Sequence, residues 1–298
     1  MRHLRTTLDI GDDSAVDALL QRAQELKRHR AQRRLAPTLA GRVIGMLFER
    51  PSTRTRVSFQ AGSALLGAHC IVLEGRDIWL QQPGEEGDGE VLRDTARVIG
   101  GAVDLLVMRP AAGHAPIEEL ARHAGVPVIN GLSERDHPCQ VLTDLFTIYE
   151  RRERPYESVL AFVGDSVAMA NGYLALAALT GMSVRIALPE GTAVDVELKK
   201  RAEAKAKVLV THAAAEAVSG ADVVSTAAWS GPVAKGFCID DALLARAADD
   251  AIVLHALPAH RGHEVTDDVL EGPRSVAFQQ ANNRLPVQQA LMELLLNS

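Results

Sequence analysis

Aromatic side chains make up only 4% of this 298-residue chain, and cysteine occurs only as Cys70, Cys139 and Cys238. Thiols spaced so widely offer neither the paired ligands of a zinc site nor a disulfide framework, and a reducing cytoplasm is the expected setting. Excess basic charge is also missing. The formal net charge is -6 and the pI about 5.9, whereas proteins of nucleic acid or membrane surfaces usually carry a basic field over a wide area. No stretch approaches the roughly 18 consecutive apolar residues of a membrane span. The opening "MRHLRTTLDIGDDSAVDALL" has no uninterrupted apolar segment, so neither a signal peptide nor a membrane helix is expected. Low-complexity segments and short internal repeats are lacking too.

What is there is an ordinary globular composition, 47% hydrophobic and 23% charged, long enough for one large domain or two of roughly 130 to 150 residues. Short β-branched runs alternate with longer helical patterns. In the first half "RVIGMLFE" (42–49), "HCIVLEG" (69–75), "VDLLVMRP" (103–110) and "VPVINGL" (126–132) read as buried parallel strands, with helical patterns near 55–67, 90–100 and 115–124. The second half repeats the plan with strands at 158–165, 182–190, 206–212, 222–229 and 251–258, and helices near 167–180, 193–204, 214–219 and 240–248. The expected fold class is α/β: two doubly wound parallel-sheet domains, with a C-terminal helix near 285–296 returning to the first. The expected boundaries are 1–136 plus 283–298, a connecting helix within 137–152, and 153–282. The acidic, Gly-rich "QQPGEEGDGE" (81–90) is a candidate mobile loop.

Ligands of an open parallel sheet bind beyond the carboxyl ends of its strands. Those ends are unusually polar here: "ERPSTRTR" after the first strand, Arg109 at the third, "SERDHPCQ" after the fourth and "HALPAHRG" at the last. Pro51 pre-sets a helix start whose N–H groups, with the hydroxyls of Ser52, Thr53 and Thr55, suit an anion. Arg54 adds a planar, permanently charged fork for two phosphate oxygens. A capped helix with surface arginines is the plainer alternative for this string taken alone.

Taken together, "FERPSTRTRVSF", "DTARV", "HPCQ" with "LTDLF", "FVGD", "HALPAHRGHEVTDDVLEGP" and "NNRLPVQQALM" resemble the carbamoyltransferases of the ornithine and aspartate transcarbamoylase type over nearly the whole chain. The second half is similar to the ornithine branch, while "DLFTI" is closer to the aspartate branch. The resemblance implies attack of an uncharged amine on the carbonyl carbon of carbamoyl phosphate, with no metal and no cofactor, through positioning and charge stabilisation. It matches Ser52, Thr53, Arg54 and Thr55 to the phosphate loop and Arg109 to an arginine bridging phosphate and carbonyl oxygens. It matches His137 and Gln140 to an H-P-x-Q pair, and Arg284 to a late arginine facing the carbamoyl group. On chemical grounds His137 donates to the developing oxyanion, and the Gln140 amide oxygen accepts from the carbamoyl NH2. A homotrimer is also implied, with Gln81 or Gln82 crossing to a neighbouring site.

Each residue has a plainer reading. Arg56, two positions beyond Arg54, points elsewhere and pairs structurally. His137 caps the connecting helix, His255 is a satisfied strand-end histidine, His260 and His263 are solvated, and Cys139 packs.

On the acceptor side the chain departs from the ornithine pattern. Ala168 stands where the resemblance has an Asn after "GD", Ala227 where it has an Asp, and Ala256 where it has the Cys of H-C-L-P; the Ser-Met-Gly is missing near Ser230 to Pro232. An ammonium left unpaired in such a pocket costs several kcal/mol. The acceptor-side candidates are Ala168, Ala227, Trp229, Ala256 and Leu257, with Trp229 either a pocket wall or plain core and Lys235 either a carboxylate partner or a surface lysine. The expected acceptor is therefore an amine other than ordinary ornithine, such as 2,3-diaminopropionate or a modified or carrier-linked amine. The alternatives are ornithine itself, giving citrulline, and a non-catalytic carbamoyl-phosphate-binding paralogue. A nicotinamide-dependent oxidoreductase is disfavoured because "VGDSVAMANG" lacks the G-x-G-x-x-G spacing.

Overall fold

The computed structural model describes residues 2–78, 80 and 89–297. It divides into two compact units, Met1–Cys139 with Arg284–Ser298, and Gln140–Asn283. No helix among the described residues is long and apolar enough to cross a membrane.

The first unit begins with α1 (Asp13–Ala31), a helix outside the expectations above. Its signal is nonetheless present: Asp12 accepts the Ala15 N–H as N-cap, and Val16, Leu19, Leu20, Ala23 and Leu26 form one buried stripe at helical spacing. Four parallel strands follow, β1 (Val43–Phe48), β2 (His69–Glu74), β3 (Leu105–Arg109) and β4 (Val128–Asn130), alternating with α2 (Thr53–Leu65), α3 (Leu92–Gly100) and α4 (Ala115–His123). The sheet order is β2-β1-β3-β4. β1 is buried from Ile44 to Phe48, as befits the centre of a parallel sheet, whereas edge strand β2 is partly exposed. Leu47, Leu106 and Met108 pack against Ala96, Ile117 and Leu120.

α5 (Pro138–Arg151) leads into the second unit. There β5 (Val159–Val163), β6 (Ser183–Ala187), β7 (Val208–Thr211), β8 (Val223–Thr226) and β9 (Ile252–His255) form a parallel sheet in the order β7-β6-β5-β8-β9. α6 (Val167–Thr180) is buried from Ala168 through Ala177, capped by Ser166 at its start and closed by Gly181 in the left-handed region at φ 77. Shorter helices α7 (Val196–Glu203), α8 (Ala214–Val218), α9 (Asp241–Leu244) and α10 (Asp267–Glu271) complete the unit.

The last helix, α11 (Ala277–Leu296), starts well before the expected residue 285 and carries Pro286 inside it. Proline favours the first turn of a helix rather than its interior. The preceding turns are held instead by side chains: Asn283 donates to Thr147 and Glu150, and Gln279 to Glu150. From Arg284 onward the helix belongs to the first unit, where Gln289 donates to the Gly62 carbonyl and Glu293 takes a forked contact from Arg22.

Candidate active site

β1 and β3 lie side by side, yet β1 leads through α2 to β2 on one flank and β3 through α4 to β4 on the other. The crevice of such a switch point opens beyond Phe48 and Arg109, which are register partners. The two following loops are tied together. The Glu49 N–H donates to the Arg109 carbonyl at 3.0 Å, and the Glu49 carboxylate accepts the Ala111 N–H at 2.9 Å.

α2 starts in this crevice. Ser52 is its N-cap, extended at φ -156, and makes no side-chain capping bond. Its hydroxyl and the first-turn N–H groups are thus available to an anion. Thr55 is buried, and its Oγ1 accepts from Arg284 Nη2 at 2.7 Å; a hydroxyl that accepts still has its proton to donate. Arg56 turns away and pairs with Glu74. A cavity of about 820 Å³ adjoins the helix start, lined among others by Ser52, Thr53, Arg56, Glu74 and Ile78.

Positive charge gathers here. Burial first, then the charges of Arg284, Arg109 and Arg54, hold His137 well below the ordinary histidine value, so its ring is a neutral imidazole near pH 7. Burial, then Arg50 and Arg54, lowers Arg109, and burial lowers Arg54. Arg109 Nε and His137 Nδ1 are buried with no hydrogen-bond partner among the described residues. Buried donors among like charges are what an anion site requires.

The turn before His137 is braced by the N-terminal segment. Asp136, also buried, accepts the Thr7 N–H at 2.6 Å and the Thr7 hydroxyl at 3.0 Å. Burial pushes its carboxyl up to about 7, against the pull of those donors. Asn130 donates to the carbonyls of Arg5 and Asp136 and to the Ser133 hydroxyl. Cys139 packs under this turn with its thiol raised to about 12 by burial. Gln140, in the first turn of α5, donates through Nε2 to Asp144 Oδ1 at 2.8 Å.

In the second unit the switch point falls between β5 and β8, where Thr226 Oγ1 donates to the Val163 carbonyl at 2.7 Å. Asp165, just beyond β5, accepts both the N–H and the hydroxyl of Ser230, at 2.8 and 2.6 Å. Ala168 and Ala227 are buried, and Ala256 and Leu257 half-buried. Trp229 lies in the hydrophobic core with Ile239, Leu243 and Val265, edge-on to Phe237 at 5.6 Å. That is the packing alternative. Lys235 is exposed, and Gln81 and Gln82 lie outside the described residues. His255 is buried at the end of β9, bonded to Glu264 through Nε2 at 3.1 Å and to the Leu257 N–H through Nδ1 at 2.8 Å. Among the described residues no three His, Cys, Asp or Glu side chains group as metal ligands.

Sequence reasoning gave no role to Asp136, Asp144, Asp165 or Gln280. Asp136, Asp144 and Asp165 each lie inside a stretch singled out above, "SERDHPCQ", "LTDLF" and "FVGD", whereas Gln280 offered no signal.

Two parallel sheets, each with its polar switch point and an arginine-rich helix start in the first, define an α/β protein of two sheet units. The carbamoyl-phosphate-binding domain model of the aspartate/ornithine carbamoyltransferases matches residues 2–150, and the Asp/Orn-binding domain model of the same family matches 157–295. The chain belongs to the aspartate/ornithine carbamoyltransferase family and is a carbamoyltransferase. It is 44% identical to the ornithine carbamoyltransferase of Methanoculleus marisnigri over 97% of this chain and 95% of that one. Among solved structures it is similar to the ornithine carbamoyltransferase of Pyrococcus furiosus, with a TM-score of 0.91, 35% identity and coverage of 100% and 97%. The enzyme of Gloeobacter violaceus superposes with a TM-score of 0.88 at 40% identity over 99% of both chains.

Proposed function

We propose that this chain transfers the carbamoyl group of carbamoyl phosphate to the side-chain amine of ornithine, releasing phosphate. The observation that carries the donor side is the convergence of Arg54, Arg109, Arg284 and a neutral His137 around the uncapped start of α2. In this reading Ser52, Thr53, Arg54 and Thr55 hold the phosphate, and Arg109 spans phosphate and carbonyl oxygens. His137 donates to the oxyanion as the amine attacks, Arg284 faces the carbamoyl group, and Gln140 accepts from its NH2. Each contact acts by preorganised charge, which a dry site strengthens.

Ornithine is supported by relatives near 40% identity over almost the full chain that bear its name. That support is stronger than the support for the altered acceptor expected from the sequence. One observation still favours the second reading: Ala168, Ala227 and Ala256 carry no group for an α-ammonium or carboxylate. A shorter or carrier-linked amine is then the acceptor, and Asp165 the nearest carboxylate in sequence to Ala168.

A cytoplasmic homotrimer is part of the proposal. Self-association is supported by exposed apolar side chains on α2, β2 and α3, Val57, Ile71 and Val98 among them.

Phosphate release from carbamoyl phosphate with ornithine, 2,3-diaminopropionate and Nα-acetylornithine, with mass spectrometry for the carbamoyl gain, tests the reading. Saturable carbamoylation of ornithine above the other amines is expected. A tenfold preference for another amine selects the second reading, and donor binding without turnover points to a binding protein.

A further inference from the structure

Asp144 lies one turn beyond Gln140 on α5 and is completely buried. Its Oδ1 accepts two amide groups, Gln140 Nε2 at 2.8 Å and Gln280 Nε2 at 2.5 Å, and its Oδ2 accepts the Tyr173 hydroxyl at 2.6 Å. Tyr173 in turn meets Ser225 Oγ at 2.8 Å. Three donors on two oxygens suit an ionised carboxylate, which can only accept. Burial and the charge of Asp144 accordingly hold the Tyr173 phenol well above its ordinary value.

Two consequences follow for the amides. A glutamine amide turned to a carboxylate must present its NH2, so its oxygen points the other way. Asp144 therefore fixes which end of Gln140 is offered to a ligand: the acceptor oxygen. The same logic holds for Gln280, whose oxygen accepts the N–H of His255 at 2.8 Å. His255 then receives the Leu257 N–H on Nδ1, at a non-glycine residue held in the left-handed region at φ 43. Such a conformation is disfavoured for a side chain with a Cβ and persists where neighbours enforce it. A chain of buried hydrogen bonds thus runs from Gln140 through Asp144 and Gln280 to His255 and the turn of Ala256 and Leu257.

Resting on the function proposed above, we infer that Asp144 is a positioning residue: it sets the Gln140 amide with its oxygen toward the carbamoyl NH2 and, through Gln280 and His255, fixes the turn of the acceptor half. Asp144 touches neither substrate. Its bonds to Gln140 and Gln280 carry that effect, beside the Tyr173 hydroxyl that it also accepts.

The test compares the affinities of carbamoyl phosphate and inorganic phosphate by titration calorimetry, because only the former carries the group that Gln140 reads. Gln140→Ala should lower the preference for carbamoyl phosphate about tenfold, and Asp144→Asn should do the same. Their double variant should be no worse than Gln140→Ala, with inorganic phosphate affinity within about twofold of wild type throughout. Gln280→Met keeps the Gln140–Asp144 contact and cuts the path to His255; it should raise the KM of the amine acceptor threefold or more and leave donor preference unchanged. Melting curves accompany each variant, and should Asp144→Asn unfold early, the Gln280→Met arm carries the test. Independent, multiplying losses in the double variant, or a wild-type acceptor KM in Gln280→Met, overturn the inference. A wild type that binds neither anion overturns the proposed function instead.

Discussion

The proposed donor and acceptor regions are built in opposite ways. On the proposed donor side the candidate groups are contiguous: one helix start holds N–H groups, hydroxyls and Arg54, and the β1–β3 register adds Arg109. The region holds buried donors among like charges. On the proposed acceptor side the strand ends carry alanines, and polar side chains near them bond to one another, Asp165 with Ser230 and His255 with Glu264. An anion site tolerates crowded positive charge because its ligand neutralises it, whereas a site for a small amine must avoid unpaired charge when empty of partner groups.

The largest expected effect breaks the donor side. Arg54→Ala removes a forked, charge-assisted phosphate contact and should cost about 2–5 kcal/mol in kcat/KM for carbamoyl phosphate, with Arg54→Lys recovering part of it. Near-normal turnover at low donor concentration would remove Arg54 from the phosphate site. His137→Ala should lower kcat by roughly 10²–10³ while changing phosphate affinity much less. A full kcat with only a weaker donor KM contradicts the oxyanion role.

On the acceptor side the comparison is sharpened by gain rather than loss. Ala227→Asp restores the carboxylate that the ornithine pattern carries, and should raise kcat/KM for ornithine about tenfold, some 1.4 kcal/mol. A fall shows that the native pocket already pairs the ammonium elsewhere, and Asp165→Asn in the wild-type background then tests the obvious partner.

A pH-dependent effect concerns the brace beneath His137. Burial raises Asp136 from 3.8 to about 7, so the fold favours its protonated form. That stability is complete below the unfolded value, shrinks as pH rises and is lost above the folded one. The stability of wild type relative to Asp136→Asn should therefore fall between about pH 4 and about pH 7, no more steeply than about 1.4 kcal/mol per pH unit. Urea midpoints measure it, and a rise would mean that the Thr7 donors outweigh burial.

Much of the fold was legible because parallel strands read as short apolar runs. The nine strands among the described residues all fall within the expected spans, each shorter than its span. α1 lies outside the expectations although its stripe at 16, 19, 20, 23 and 26 is readable, and α11 starts at Ala277, before the expected 285. The donor motif was legible for a related reason: Ser52 to Thr55 need only one helix start to come together. Trp229 was ambiguous because a ring beside a strand end serves core and pocket alike, and its contact with Phe237 exists only after folding.

The sequence by itself determined the alternation of strands and helices, the anion-ready start of α2 and the family to which the chain belongs, since each is written in neighbouring residues or in a repeated period. Tertiary structure alone decided the rest. Arg284 reaches Thr55 across 229 positions, Asp136 reaches Thr7 across 129, and Gln280 reaches Asp144 across 136. No local period encodes such pairs: they are selected when burial removes water and leaves each donor only the acceptor that packing has brought within reach.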